Sequence, residues 1–119
     1  MHRSDRNPGF AAACNFGAEV STAPLILFLN SDCLVSSMTV QRLLEAFTEN
    51  SEIGLACPLA NNAANVSLPL LPGAGSEQME VKLGKLSASH QPSYPEICTV
   101  VGHCLMISRT CYAALGGMD

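Results

Sequence analysis

The hydrophobic pattern along the chain changes period several times, and each change marks an element. Asn7-Pro8-Gly9 is turn chemistry. Phe10 to Thr22 then reads as an alanine-rich helix that Pro24 must stop, because proline cannot continue the hydrogen-bond ladder. Leu25-Ile26-Leu27-Phe28-Leu29 is apolar without alternation, the pattern of a strand covered on both faces in a parallel sheet. Asn30-Ser31-Asp32 ends it with three polar residues in succession.

Ser36 or Ser37 is placed to cap a second helix, in which Val40, Leu43, Leu44 and Phe47 form one apolar stripe at helical spacing and read as core. Ile53 to Cys57 predicts a short buried strand closed by Pro58. The order helix, strand, helix, strand implies an α/β sheet with right-handed crossovers. An Asn-, Pro- and Gly-rich stretch follows from Ala60 to Gly75, and loops of that length are usually functional or disordered. Ser76 to Leu86 fits a helix with Met79, Leu83 and Leu86 inward, followed by a loop around Pro92 and Pro95. Ile97 to Ser108 is the longest extended run, with Gly102 breaking its middle, and Thr110 to Leu115 is a short helix that Gly116-Gly117 ends.

Composition narrows the class. A length of 119 residues makes one domain, 1–119, with an apolar fraction of 48% that fits a globular chain. The charged fraction is only 13%, which predicts a charge-poor surface of the kind a partner or further chain covers. A net charge of -4 with six scattered Lys and Arg excludes a nucleic-acid phosphate binder. No apolar run approaches the ~20 residues of a membrane span, and no leader is evident before Phe10, so the chain reads as soluble and cytoplasmic. The six cysteines include no C-x-x-C pair and sit among apolar residues, as reduced core thiols do. A zinc reading of Cys98, His103, Cys104 and Cys111 lacks tightly spaced ligand pairs. Asn65-Val66-Ser67 matches a glycosylation acceptor, which has meaning only in a secreted chain.

The residues with chemical potential are few. In an open α/β sheet, ligands bind beyond the carboxyl ends of the strands. Asp32, directly after five buried apolar residues, falls on that rim. Hard divalent cations favour oxygen ligands, and magnesium typically takes one or two carboxylates together with substrate phosphates. Spacing alone fits a second reading equally well, in which Asp32 caps a turn or the next helix. His103 fits a satisfied, partly buried histidine, and Arg109 fits pairing with a nearby carboxylate.

Several motifs in order carry a resemblance. Asn7-x-Gly9-Phe10-Ala11-x-Ala13-x-Asn15-x-Gly17, then Leu27-Phe28-Leu29-Asn30-Ser31-Asp32, resembles the middle of family 2 glycosyltransferases of the GT-A fold. Ile53-Gly54 with Pro58, Gly102-x-Cys104-Leu105-x-Ile107-x-Arg109 and Leu115-Gly116-Gly117-Met118-Asp119 continue the pattern in the expected order. The bacterial polysaccharide and rhamnosyl-transferring members are the most similar in pattern.

The resemblance implies a partial GT-A, Rossmann-like mixed sheet flanked by helices, lacking the N-terminal nucleotide-binding half. It implies transfer of a sugar from a nucleotide-diphosphate donor to a glycan or lipid-linked acceptor hydroxyl, with inversion and with Mg²⁺ or Mn²⁺. Asn30-Ser31-Asp32 stands where the family's D-x-D metal motif stands, with Asn30 in place of the first Asp and Asp32 as the metal ligand. Gly9 and Asn15 match the segment beside the nucleotide; a turn glycine and an exposed helix residue are their plainer readings. Asp119 matches the acidic G-G-x-D segment from which a general base deprotonates the acceptor, and a frayed terminal carboxylate is its plainer reading. The absent half would leave sheet edges open, which invites dimerisation and predicts a truncated piece of weak or no activity. The competing reading is a non-catalytic binding or assembly module that reuses the fold.

Overall fold

The structure is a computed structural model that describes residues 5–60, 63, 66–67, 77–78, 81–82, 84–85 and 93–119. Most of the 60–75 loop, the glycosylation acceptor's Asn65, the inward positions Met79, Leu83 and Leu86, and Pro92 lie outside them. In chain order the elements are α1 (Phe10–Glu19), β1 (Leu25–Leu29), α2 (Ser37–Glu49), β2 (Leu55–Ala56), β3 (Cys104–Ser108) and α3 (Arg109–Leu115). Glu77, Gln78, Val81, Lys82, Gly84 and Lys85 are helical as well, within the span where a helix is expected.

β3 is the middle strand of a three-stranded sheet ordered β1-β3-β2. It pairs antiparallel with both neighbours, Leu29 opposite Cys104 and Leu25 opposite Ser108 on one side, Leu55 opposite Ile107 on the other. β1 and β2 therefore run in the same direction, joined by α2, with β3 between them. Within this sheet both pairings are antiparallel, where the unbroken apolar run of β1 read as a strand of a parallel sheet; outside it, Ala60 and Ser67 form an isolated parallel bridge. The physical reason is that an unbroken apolar run reports burial on two faces and carries no information about the direction of the neighbouring strand.

Both faces of the sheet are covered. Side chains alternate along β3, so Leu105 and Ile107 meet Ile26, Phe28 and Ala18 on one face, with Cys14 of α1 and Cys111 and Tyr112 of α3 packed against them. Cys104 and Met106 point the other way, to Leu43 of α2, with Leu25, Leu27, Val40 and Phe47 around them. The layers are thus α1 and α3, then the sheet, then α2. The α2 stripe is core except at Leu44, which is 45% exposed, while Ala46 is buried in addition.

The local signals explain most element ends. Ser36 accepts from Thr39 N–H at 3.2 Å and caps α2, a contact that contributes about 1 kcal/mol. Ser108 does the same for α3 through Cys111 N–H at 3.2 Å. Gly116 ends α3 in the left-handed conformation with φ 79°. α1 stops at Glu19, three residues short of the expected Thr22. The extended run from Ile97 forms a strand only from Cys104, because Gly102 and His103 make a turn before it.

Candidate functional site

The carboxyl end of β1 is where the candidate residues gather. The antiparallel ladder carries one step past the strand: Asn30 N–H donates to the His103 carbonyl at 2.9 Å. A turn then reverses the chain, with Cys33 N–H donating to the Asn30 carbonyl at 3.1 Å and Ser31 N–H to Asn30 Oδ1 at 2.9 Å. Asp32 sits inside this turn, exposed, and its carboxylate accepts the Cys33 thiol at 3.6 Å. It does not cap α2, because Ser36 does. The structure therefore removes the helix-capping reading of Asp32 and leaves an exposed carboxylate on a turn pinned to the sheet.

Cys33 is held as the thiol. Burial, the hydrogen bond to Asp32 and the Asp32 charge all push its pKa up. Cys104 is pushed up too, by burial first and then by Cys33 and Cys57 nearby. All six cysteines are unpaired. Cys104 faces the α2 side and Cys111 the opposite side, so the sheet separates two of the residues in the zinc reading.

The start of α1 lies against the same rim. A Cβ on Gly102 would sit 3.9 Å from Phe10 Cζ, which brings the first residue of α1 to the turn that precedes β3. Gly9 adopts φ 87°, a conformation that favours glycine, and nothing lies within 4 Å of a Cβ built on it. Its N–H donates to Asn7 Oδ1 at 3.0 Å. Gly9 is thus a turn residue on an exposed surface with open space before it.

Asn15, expected as an exposed helix residue or a donor contact, is half-buried and reaches across to the chain's last residues. Its Nδ2 donates to the Met118 carbonyl at 2.8 Å, and its Oδ1 accepts from Met118 N–H at 2.8 Å and from the Tyr112 hydroxyl. Asp119 follows directly and is exposed. Arg109 is a correction: its guanidinium binds the Ala23 carbonyl at 2.8 Å, the Ala18 carbonyl at 3.0 Å and Ser21 Oγ at 2.6 Å, not a carboxylate. Those acceptors lie at and beyond the end of α1, where helix carbonyls lack intrahelical partners and a cation is favoured.

His103 departs from expectation in the opposite sense. Both of its ring nitrogens are buried and lack a hydrogen-bond partner among the described residues. A buried unpaired polar group costs about 1–3 kcal/mol. His103→Phe, of similar shape, is expected to raise the thermal midpoint by several degrees, roughly 4–8 °C for each kcal/mol recovered in a small domain. Circular dichroism melts check this; an unchanged or lower midpoint would show that the ring has a partner in solution. No signal in the sequence separated this histidine from a satisfied one.

Among the described residues, no group of three His, Cys, Asp or Glu side chains forms a metal cage. The exposed Asp32 carboxylate fits a hard cation held jointly by protein and by ligand phosphates. Asn30 adds an exposed amide beside it, with Oδ1 already engaged by Ser31. A concavity of about 470 Å³ runs along the edge of β1 that is unpaired among the described residues, lined by Phe10, Cys14, Gly17 and Leu25 to Leu29. No helix among the described residues is long and apolar enough to cross a membrane.

An α/β layered domain with a carboxylate on the rim beyond its first strand belongs to the class of folds that bind ligands at strand ends. The family follows from comparison: the model of glycosyl transferase family 2 matches residues 1–116, and the chain belongs to that family. Glycosyl transfer is the chemistry of the family, and its enzymes commonly use divalent metals, a nucleotide-sugar donor and a glycan acceptor. The α/β architecture is that of part of a GT-A-like domain, as the sequence pattern predicts. No curated protein and no solved structure matches the chain.

Proposed function

We propose that this domain transfers a sugar from a nucleotide-diphosphate donor to the hydroxyl of a glycan or lipid-linked acceptor, with metal dependence and inversion at the anomeric carbon. The observation that carries the reading is the exposed, uncapped Asp32 carboxylate on the turn beyond β1, in a member of this family. In this reading Asp32 holds Mg²⁺ or Mn²⁺ at the donor diphosphate. The bound ion supplies neutralisation of charge on the departing diphosphate.

The chain's own residues do the rest. Asn30 lies beside the donor, its Nδ2 without a partner among the described residues. Gly9 leaves open space for close approach of the donor at the start of α1. Asn15 has filled both acceptor positions of Oδ1 and one N–H of Nδ2 with Met118 and Tyr112, so its part is inside the protein and not on the donor. Asp119 takes the proton of the acceptor hydroxyl as that oxygen attacks the anomeric carbon, and the diphosphate leaves from the opposite face. The reading also includes a cytoplasmic location and self-association through the free edge of β1.

Calorimetric titration of UDP- and dTDP-sugars with and without Mn²⁺ tests it. Saturable binding that requires the metal is the expected result. The competing reading, a binding or assembly module without catalysis, predicts no donor binding at millimolar ligand with either metal.

A further inference from the structure

The bonds of Asn15 join residues 103 positions apart in the chain, and they have a direction. β3 runs from the rim at Cys104 to its far end at Ser108. α3 starts at that far end and must climb back along the sheet, about 1.5 Å per residue over seven residues. α1 runs the other way, from Phe10 at the rim to the acceptors of Arg109 at the far end. Asn15 sits five positions into α1, about 7.5 Å below Phe10 along the axis. It therefore meets the chain as α3 ends and turns toward the rim.

That turn is built around the amide. Gly116 and Gly117 both take positive φ, 79° and 94°. A Cβ on Gly117 would lie 2.9 Å from Asn15 Oδ1 and 3.4 Å from the Tyr112 hydroxyl oxygen, so only glycine lets the backbone pass so close. Met118 is then held by both its N–H and its carbonyl, and its side chain, like that of Tyr112, packs on the core. Asp119 is one residue beyond a backbone that is fixed at both polar groups.

We infer that Asn15 is a positioning residue for Asp119: its side-chain amide grips the Met118 backbone, and this grip presents the next carboxylate to the acceptor at the rim. The inference rests on the proposed role of Asp119 as the base. Asn15 touches no reacting atom in it. The amide is suited to the task because it donates and accepts at once, matching a peptide unit's own carbonyl and N–H; aspartate cannot donate and alanine does neither.

Asn15→Ala, Asn15→Asp and Asn15→Gln are compared with wild type by donor binding, steady-state kinetics and hydrogen exchange. Turnover is counted per chain that binds donor with Mn²⁺, so that loss of folded protein does not enter. The expected result for Asn15→Ala and Asn15→Asp is a fall in kcat of about 10- to 100-fold, the scale that misplacement of a reacting group produces. The KM for donor stays within about twofold, and the Met118 amide exchanges at least about tenfold faster than in wild type. Should Asn15→Ala fail to fold, Asn15→Gln and Tyr112→Phe, which removes one bond and leaves the two to Met118, supply the comparison. A kcat unchanged per binding-competent chain overturns the inference, as does a donor KM that rises in step with the loss. If wild type binds no donor and transfers no sugar, the functional reading falls by itself. Met118 exchange then decides the grip alone: equal rates in wild type and Asn15→Ala overturn it, and faster exchange in the variant upholds it.

Discussion

Asp32→Ala is expected to abolish metal-dependent donor binding and to lower turnover by about 10²- to 10³-fold, while the thermal midpoint stays where it is. The activity side follows from what a cation at a leaving diphosphate contributes, several kcal/mol of transition-state stabilisation, at about 1.4 kcal/mol for each factor of ten. No group of three His, Cys, Asp or Glu side chains stands ready among the described residues to take the ion over. The stability side follows from the local structure. Asp32 is exposed, it caps no helix, and its carboxylate receives one weak thiol hydrogen bond at 3.6 Å. Surface changes of that kind stay within about 0.5 kcal/mol. Ser36→Ala supplies the contrast, since it removes the α2 cap and costs about 1 kcal/mol without touching the rim. Asp32→Asn retains shape and loses charge, so it should follow alanine in binding. Donor titration with Mn²⁺ and thermal melts on the same samples read both sides. Retained metal-dependent binding in Asp32→Ala would remove Asp32 from the metal site, and a drop in midpoint of several degrees would make it a structural residue.

What the sequence disclosed depended on the range of the interaction responsible. Ser36 and Gly116 were legible because caps and left-handed helix ends are written in neighbouring residues. β1 was legible because five apolar residues in succession bury on two faces wherever the strand sits. Its antiparallel partner was not legible, since Leu29 meets Cys104 across a gap that no local pattern spans. The same limit governs the site. Asn30-Ser31-Asp32 could be placed on the rim because a polar break after a buried strand has one location in an open sheet. Spacing does not decide between Asp32 and Ser36 as the cap of α2, and the Ser36 hydroxyl fills that place. Asn15 read as a surface residue because its partners lie 97 and 103 positions away, and helical periodicity says nothing about what a polar side chain meets. His103 read as satisfied because burial without a partner is visible only in three dimensions.

Arg109→Ala is expected to cost about 2–3 kcal/mol, a loss of roughly 10 °C in the midpoint of a domain this size. The guanidinium bonds Ala23, Ala18 and Ser21 at 2.8, 3.0 and 2.6 Å, three contacts from one charged donor in the rigid fork that arginine alone supplies. Hydrogen bonds with a charged partner are worth about 1.5–3 kcal/mol each before losses, and half-exposure reduces that sum. The Ala18 carbonyl keeps a second donor in Ser21 Oγ at 3.2 Å, and the Arg109 backbone N–H keeps Pro24 at 2.9 Å. The variant should therefore fold, with the end of α1 loosened from the start of α3. Arg109→Lys keeps the charge and reaches fewer acceptors, so it should recover less than half of the loss. Urea unfolding of the three proteins measures the difference; a change below 0.5 kcal/mol for alanine would mean that the bonds merely exchange with water. The functional consequence follows from the same geometry. Arg109 anchors the far ends of α1 and α3 together, while Asn15 joins them nearer the rim. With the lower anchor gone, α3 can shift along α1 and carry Met118 with it. Turnover in Arg109→Ala, measured well below its midpoint, should then fall more than donor binding does.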